Sequence, residues 1–311
     1  MAIARISLLS DFCHGASLKI ASLSDSSGPS RWNPRAVLGC CLMLMIAATC
    51  LCGCAGPSSG RPGAKLNATE QMMWSTYPVG TRTGMATGFV VARKDALRSD
   101  GTMPVVVTSL HVLKGAGRGP LMLAVRVPDA EGEPQVAVIQ VQPRRSREPF
   151  FVRHPSEDIG AFELKIPSDV AARYPLPSCL EEKALSSGAR ELRVGDEVTF
   201  LGFPDVFPGT PGAFPLLRSG KIASYPTAEM RAGRKFVINA DVYPGDSGAP
   251  VFARTRGGRA ELVGMIVQRI GLNARAFSHF AIAVDASAIR ETLQLLAERE
   301  GRRSAEKKAG Q

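Results

Sequence analysis

Gly245-Asp246-Ser247-Gly248-Ala249-Pro250 is the hexapeptide of this 311-residue chain whose residue types point most directly to chemistry. A nucleophilic serine needs a tight turn that projects its hydroxyl into a cleft, and glycine permits such a turn. The same turn can aim the backbone N–H groups of Gly245 and Ser247 at a developing oxyanion. A plain glycine-rich β-turn would share this composition, so the motif needs partners elsewhere. At neutral pH a serine nucleophile requires a base, and the base requires an orienting group. Of the four histidines, only His111 follows a β-branched run ending in threonine, Val105-Val-Val-Thr108-Ser-Leu-His111-Val112. His14 lies in an N-terminal leader, and His154 and His279 read as surface or packing residues. Asp158 stands at the mouth of an apolar strand in Ser156-Glu-Asp158-Ile-Gly-Ala-Phe-Glu-Leu164. A carboxylate placed there can hold the Nδ1–H of an imidazole.

Taken together, the three sites resemble the chymotrypsin-like (trypsin-fold) serine proteases, in the chain order His, Asp, Ser. Within that group the chain resembles the bacterial HtrA/Deg-type protease domain without a PDZ domain. Thr87-Gly88-Phe-Val-Val91 and Thr108-Ser-Leu-His111-Val112 are similar to its first two signature strands. Asp158-Ile-Gly-Ala-Phe, Gly195-Asp-Glu-Val-Thr-Phe-Leu-Gly202-Phe-Pro204, Ser219-Gly-Lys-Ile-Ala-Ser224 and Phe280-Ala-Ile-Ala-Val284 resemble the motifs that follow, in the same order. The similarity runs over about residues 80–298. Two features depart from the HtrA pattern: Asp246 precedes the serine, as in trypsins, where HtrA proteins usually carry Asn, and Ala249 replaces the usual glycine.

The resemblance implies an all-β fold of two six-stranded antiparallel barrels with a C-terminal helix. It implies a serine endopeptidase acting through an acyl-enzyme, with His111, Asp158 and Ser247 as triad and Gly245 and Ser247 as oxyanion hole. It places Asp241, six residues before Ser247, where trypsins carry the acid of the pocket that selects Arg or Lys. The competing reading of Asp241 is a cap on the preceding strand. Ile266, Val267 and Gln268 would form the wall that pairs with substrate backbone. The rival from another class is a catalytically silent trypsin-fold binding module.

The elements that must position these groups are short apolar, β-branched runs separated by turn residues, such as Gly88-Phe-Val-Val-Ala92, Val136-Ala-Val-Ile-Gln-Val141 and Leu262-Val-Gly-Met-Ile-Val267. That pattern predicts a barrel or sandwich. Only Ala286–Arg299, with Ile289, Leu293 and Leu296 at near-helical spacing, predicts a long helix. The expected layout is barrel 1 over about 80–168, a joint at 169–190, barrel 2 over about 191–284, a helix at 285–299 and a basic disordered tail at 300–311.

Five of the seven cysteines fall between Cys40 and Cys54, which excludes a disulfide framework. They sit in an uncharged run from Ala36 to Cys54, preceded by Arg31 and Arg35 and followed by small residues. This is the pattern of an export signal. Leu51-Cys52-Gly53-Cys54 resembles a bacterial lipobox, with Cys54 the lipidation site. An uncleaved signal anchor and a buried core helix are the competing readings. Residues 1–54 are thus expected to be leader and anchor segment, and 55–79 a tether. Both export readings place the protein in the cell envelope, held to the membrane through its N-terminus.

The whole chain carries a net charge of +10. Removing residues 1–53 leaves 34 basic and 26 acidic residues, a net +8. Those charges are dispersed and not interleaved with aromatics, which argues against nucleic acid as a partner. Protein or peptide substrates are the expected partners, and neither metal nor cofactor is expected.

Overall fold

The computed structural model describes residues 67–309 apart from 82–83, 95–100, 118, 130–133, 142–148, 167–169, 171–178, 187–191, 206–212, 226–233, 255–259 and 271–277. The leader, Cys54 and the start of the tether lie outside the described residues.

The expected tether ends early, because residues from 68 onward are folded. Helix α1 (Ala68–Ser75) starts at a capping box in which the Asn67 side chain accepts from the Glu70 N–H and the Glu70 side chain accepts from the Asn67 N–H. The first half continues with β1 (Thr76–Thr81), β2 (Gly84–Lys94), β3 (Thr102–Ser109) and the short helix α2 (Leu110–Gly115). Next come β4 (Leu121–Pro128), β5 (Pro134–Val141), β6 (Val152–Arg153), β7 (Ile159–Glu163) and β8 (Leu180–Glu181). These strands form one sheet in the order β5-β4-β1-β2-β3-β7-β6, with β8 pairing to β2. The second half has β9 (Glu197–Gly202), β10 (Leu216–Ile222), β11 (Lys235–Val242), β12 (Pro250–Arg254), β13 (Ala260–Arg269) and β14 (Ser278–Asp285), and ends in α3 (Ala286–Ala309). Its six strands close into a barrel, β10-β11-β14-β13-β12-β9.

The architecture agrees with a chymotrypsin-like double barrel, with one difference in the first half. That half is an eight-stranded sheet rather than six strands, because two-residue strands are added to it. One of these, β8, comes from the expected joint and runs parallel to β2, pairing Leu180 with Val91.

Val105-Val106-Val107 is a continuous apolar run because β3 is buried on both faces. Val106 enters a cluster with Tyr77, Val90, Leu121, Leu123, Ile139 and Phe162 inside the first sheet. Val105 and Val107 enter another, with Phe89, Leu201, Phe252, Met265 and Leu293, that spans both halves and the C-terminal helix. A third cluster, including Phe200, Ile238, Val251 and Ala283, fills the closed barrel. Arg126 of β4 is fully buried. Its guanidinium lies 4.5 Å from the Tyr77 ring centroid and 4.6 Å from that of Phe214, and donates to the carbonyls of Met73, Trp74, Thr76 and Ala213. One side chain thereby ties α1 to the approach to β10. Cys179 is buried, and burial pushes its thiol up to about 12.

Helix α3 begins with the Asp285 carboxylate accepting from the Ser287 N–H. It buries Ile289, Leu293 and Leu296 in the shared core. The helix was expected to stop at Arg299, with a disordered tail beyond, but it runs to Ala309. The residues beyond Arg299 are mostly good helix formers, Glu300 pairs with Arg303 at 3.0 Å, and Arg299 donates to the Phe151 carbonyl at 2.8 Å.

Of the two readings of His154, surface or packing residue, the structure shows the second: it is buried. Its Nδ1 accepts from the N–H groups of Ser156 and Glu157, which assigns the proton to Nε2, 3.1 Å from Glu291 of α3. Arg234 reaches the same Glu291 oxygen at 2.6 Å. The Arg234 guanidinium holds the Glu291 carboxyl below its usual range, and the His154 ring adds to that pull against desolvation. A carboxylate with a depressed folded pKa contributes stability above its unfolded pKa and loses it as pH falls through the folded value. Glu291→Gln is therefore expected to melt below wild type at pH 7, with the gap closing below about pH 4. Thermal melts at both pH values read this; a gap unchanged by acid would contradict it.

Candidate active site

The turn Tyr243–Ala249 joins β11 to β12 and takes its shape from two glycines, Gly245 at φ +97° and Gly248 at φ +91°. Within it, the Asp246 N–H donates to the Tyr243 carbonyl at 3.2 Å and the Ala249 N–H to the Asp246 carbonyl at 2.9 Å. The Gly248 N–H donates to the Ile266 carbonyl at 2.8 Å, and the Ile266 N–H to the Ala249 carbonyl at 2.9 Å. The N–H groups of Gly245 and Ser247 have no acceptor among the described residues. These are the two donors that an oxyanion hole would use.

The first sheet straps this turn in place. Thr87 of β2 donates its N–H to the Ser247 carbonyl at 2.9 Å and its Oγ1–H to the Gly245 carbonyl at 2.8 Å. Thr108, near the end of β3, donates its Oγ1–H to the Thr87 carbonyl at 2.7 Å. Ser247 is thus tied through Thr87 to the strand that ends just before His111.

His111 occupies the first turn of α2. Leu110, Val112 and Leu113 around it are buried, leaving the imidazole about half exposed, at 51%. Nδ1 lies 2.5 Å from Asp158 Oδ2. The other carboxylate oxygen, Oδ1, accepts from the His111 backbone N–H at 2.9 Å, and the Asp158 carbonyl accepts from the Leu110 N–H at 3.1 Å. Three bonds between the same two segments fix the ring relative to the acid and assign a proton to Nδ1, so that Nε2 is the basic nitrogen. The loop that delivers Asp158 is itself shaped by the His154 Nδ1 contacts.

Asp246, directly before Ser247, is fully buried. Its Oδ2 accepts from the Tyr243 N–H at 2.8 Å and from Arg218 Nη1 at 2.7 Å, while Oδ1 meets Arg218 Nη2. Burial pushes the Asp246 carboxyl above its usual range, and the Arg218 guanidinium and the Tyr243 N–H pull it back down.

A comparison with protein families matches the trypsin-like peptidase domain over residues 86–265, more than half of the chain. The chain belongs to the trypsin-like peptidase family. No curated protein matches it. Among solved structures it is similar to a serine-to-alanine mutant of Rv3671c from M. tuberculosis H37Rv in an inactive form, at 16% identity and a TM-score of 0.41, covering 78% of this chain and 97% of that one. It is also similar to the HtrA-type protease AlgW, solved with a decapeptide, at 14% identity and a TM-score of 0.46, covering 75% of this chain and 67% of that one.

The remaining residues expected at the site of this trypsin-like peptidase fall in different places. Asp241 is exposed near the end of β11, its carboxylate 2.7 Å from His279 Nδ1, and its carbonyl accepts from Arg218. One carboxylate oxygen thus faces His279, a neighbour that the sequence did not announce. Ile266 is buried, and both of its backbone polar groups serve the serine turn. It braces that turn: its one N–H donor is engaged there, and its carbonyl also accepts from Ser109 Oγ at 3.4 Å. Val267 is also buried, while Gln268 is exposed beyond a β-bulge in β13. Among the described residues no group of His, Cys, Asp or Glu could hold a metal ion, and no helix is long and apolar enough to cross a membrane.

Proposed function

We propose that this trypsin-like peptidase is a serine endopeptidase that cleaves protein or peptide substrates through an acyl-enzyme on Ser247. The observation that carries the reading is the His111–Asp158 clamp, combined with a serine turn strapped to the same strand end by Thr87 and Thr108. In the first step Ser247 Oγ attacks the substrate carbonyl carbon while His111 Nε2 takes the hydroxyl proton. The negative charge that develops on the carbonyl oxygen meets the N–H groups of Gly245 and Ser247, which have no acceptor of their own among the described residues. Protonated His111 then gives its proton to the leaving amine, and Asp158 stabilises the imidazolium throughout. Water enters, loses a proton to His111 Nε2 and attacks the ester carbon; the ring then returns that proton to Ser247 Oγ as the C–O bond breaks, releasing the acid and restoring Ser247.

The apolar run from Ala36 to Cys54 supports an exported enzyme in the cell envelope, tethered through a lipidated Cys54 or an uncleaved anchor. Mass spectrometry of the mature N-terminus distinguishes the two: a lipid on Cys54, or residues 36–54 still present.

The test of the chemistry is labelling with a fluorophosphonate probe. Wild type is expected to label at Ser247, and Ser247→Ala and His111→Ala are expected to lose the label. Labelling that survives Ser247→Ala overturns the assignment. A folded wild type that never labels points to the binding-module reading.

A further inference from the structure

The serine turn is held from a direction that the triad does not account for. Asp246 is at once part of the turn and its anchor. Its backbone N–H and carbonyl bond to Tyr243 and Ala249, and its carboxylate accepts from the Tyr243 N–H. The two peptides flanking its Cα carry the N–H groups of Gly245 and Ser247 or lie next to them, so the orientation of Asp246 decides where those donors point. The carboxylate itself is fixed by the two-pronged contact with Arg218, a residue of the neighbouring strand β10. Arg218 is packed as well as paired, its guanidinium 4.6 Å from the Phe200 ring centroid and 5.8 Å from that of Tyr243. Gly202, on the strand paired with β10, leaves room for this contact. A Cβ there would meet Asp246 Oδ1 at 2.2 Å and Arg218 Nη2 at 2.7 Å.

We propose that Arg218 is a positioning residue for the reaction: it holds Asp246, and through Asp246 it aims the N–H groups of Gly245 and Ser247 and the Ser247 hydroxyl. The inference rests on the reading of Ser247 as nucleophile. The cation comes from the barrel's own strand, so the turn is set when the barrel folds. Arg218 contacts neither Ser247 nor His111; it acts on the rate through the turn, and it also donates to the Asp241 carbonyl.

The experiment compares wild type with Arg218→Met and Arg218→Lys, reading hydrogen exchange across residues 243–250, fluorophosphonate labelling rate, and kcat and KM on a peptide substrate. Arg218→Met is expected to raise exchange in 243–250 about tenfold while leaving α3 and β1–β3 unchanged. It should slow labelling about 100-fold, with the loss in kcat rather than KM. Arg218→Lys keeps the charge but not the two-pronged geometry, and is expected to stay folded and recover labelling to within about tenfold of wild type. If Arg218→Met loses protection throughout the molecule, Arg218→Lys decides: slower labelling with looser exchange confined to 243–250 upholds the proposal. Exchange and labelling at wild-type levels in the folded variants overturn it. A wild type that does not label defeats the Ser247 reading alone, and the exchange contrast still decides whether Arg218 holds the turn.

Discussion

Asp158→Asn is expected to lower kcat/KM about 10⁴-fold while leaving the fold intact. The size of the effect follows from the way this carboxylate is held. Oδ1 accepts from the His111 backbone N–H, and Oδ2 faces His111 Nδ1. An asparagine amide has one oxygen and one nitrogen to fill those positions. The backbone N–H is a fixed donor, so the amide oxygen must face it and the amide NH2 must face Nδ1. Nδ1 then has to accept, which moves the ring proton to Nε2. A ring protonated at Nε2 cannot take the proton from Ser247. The bond to the backbone survives, so the melting temperature should change little. Kinetics on a peptide substrate, paired with a thermal melt, check this; activity within tenfold of wild type would show that Asp158 does not set the tautomer.

Gly248→Ala is expected to damage stability and activity together, and Gly195→Ala is the control that separates the causes. Both glycines have nearly the same positive φ, +91° and +90°. An alanine at either position carries a backbone cost of about 1–3 kcal/mol. At Gly195 a new Cβ meets nothing within 4 Å. At Gly248 it would lie 1.9 Å from the Thr87 carbonyl oxygen and 2.6 Å from Thr108 Oγ1. Those atoms belong to the strap that holds Ser247, so relief of the collision must move either β2 or the turn. Gly195→Ala should therefore lose stability by the backbone cost alone and keep wild-type labelling. Gly248→Ala should lose more stability and label at least about 100-fold more slowly. Denaturant unfolding and labelling rates on the two variants measure the difference; equal behaviour would mean that the strap does not constrain the nucleophile.

The residues of the proposed triad stood out in the sequence because each meets a local requirement. A left-handed turn demanded the glycines around Ser247, and β3, apolar on both faces, marked the strand that ends near His111. An acid at the mouth of an apolar strand marked Asp158. What was not legible depends on pairs distant in the chain. Arg218 lies in a stretch of alternating exposure on β10, and nothing nearby in sequence announces Asp246 as its partner. The one available signal was that an acid inside a buried turn needs a cation somewhere. Asp241 has the spacing of a pocket acid, and nothing near it in the sequence announces that one of its carboxylate oxygens lies 2.7 Å from Nδ1 of His279, 38 residues away. Whether His154 lies at the surface or packs inside was open in the sequence because the bonds that bury it come from its own loop and from α3. The charged stretch after Arg299 read as a solvated tail, but solvation does not prevent a helix when its residues favour one and pair along its face.

The core cluster shared by α1, β2, β3, β7–β9, β12–β14 and α3 bears on how such an enzyme survives its own chemistry. A protease works among copies of itself, and a neighbouring copy is a substrate only where it can offer an extended segment. Because the two halves bury their strands against each other, freeing one of these strands for cleavage means disrupting that common core. Autolysis of the described strands is therefore tied to large-scale opening, and its rate should follow the stability of the whole fold.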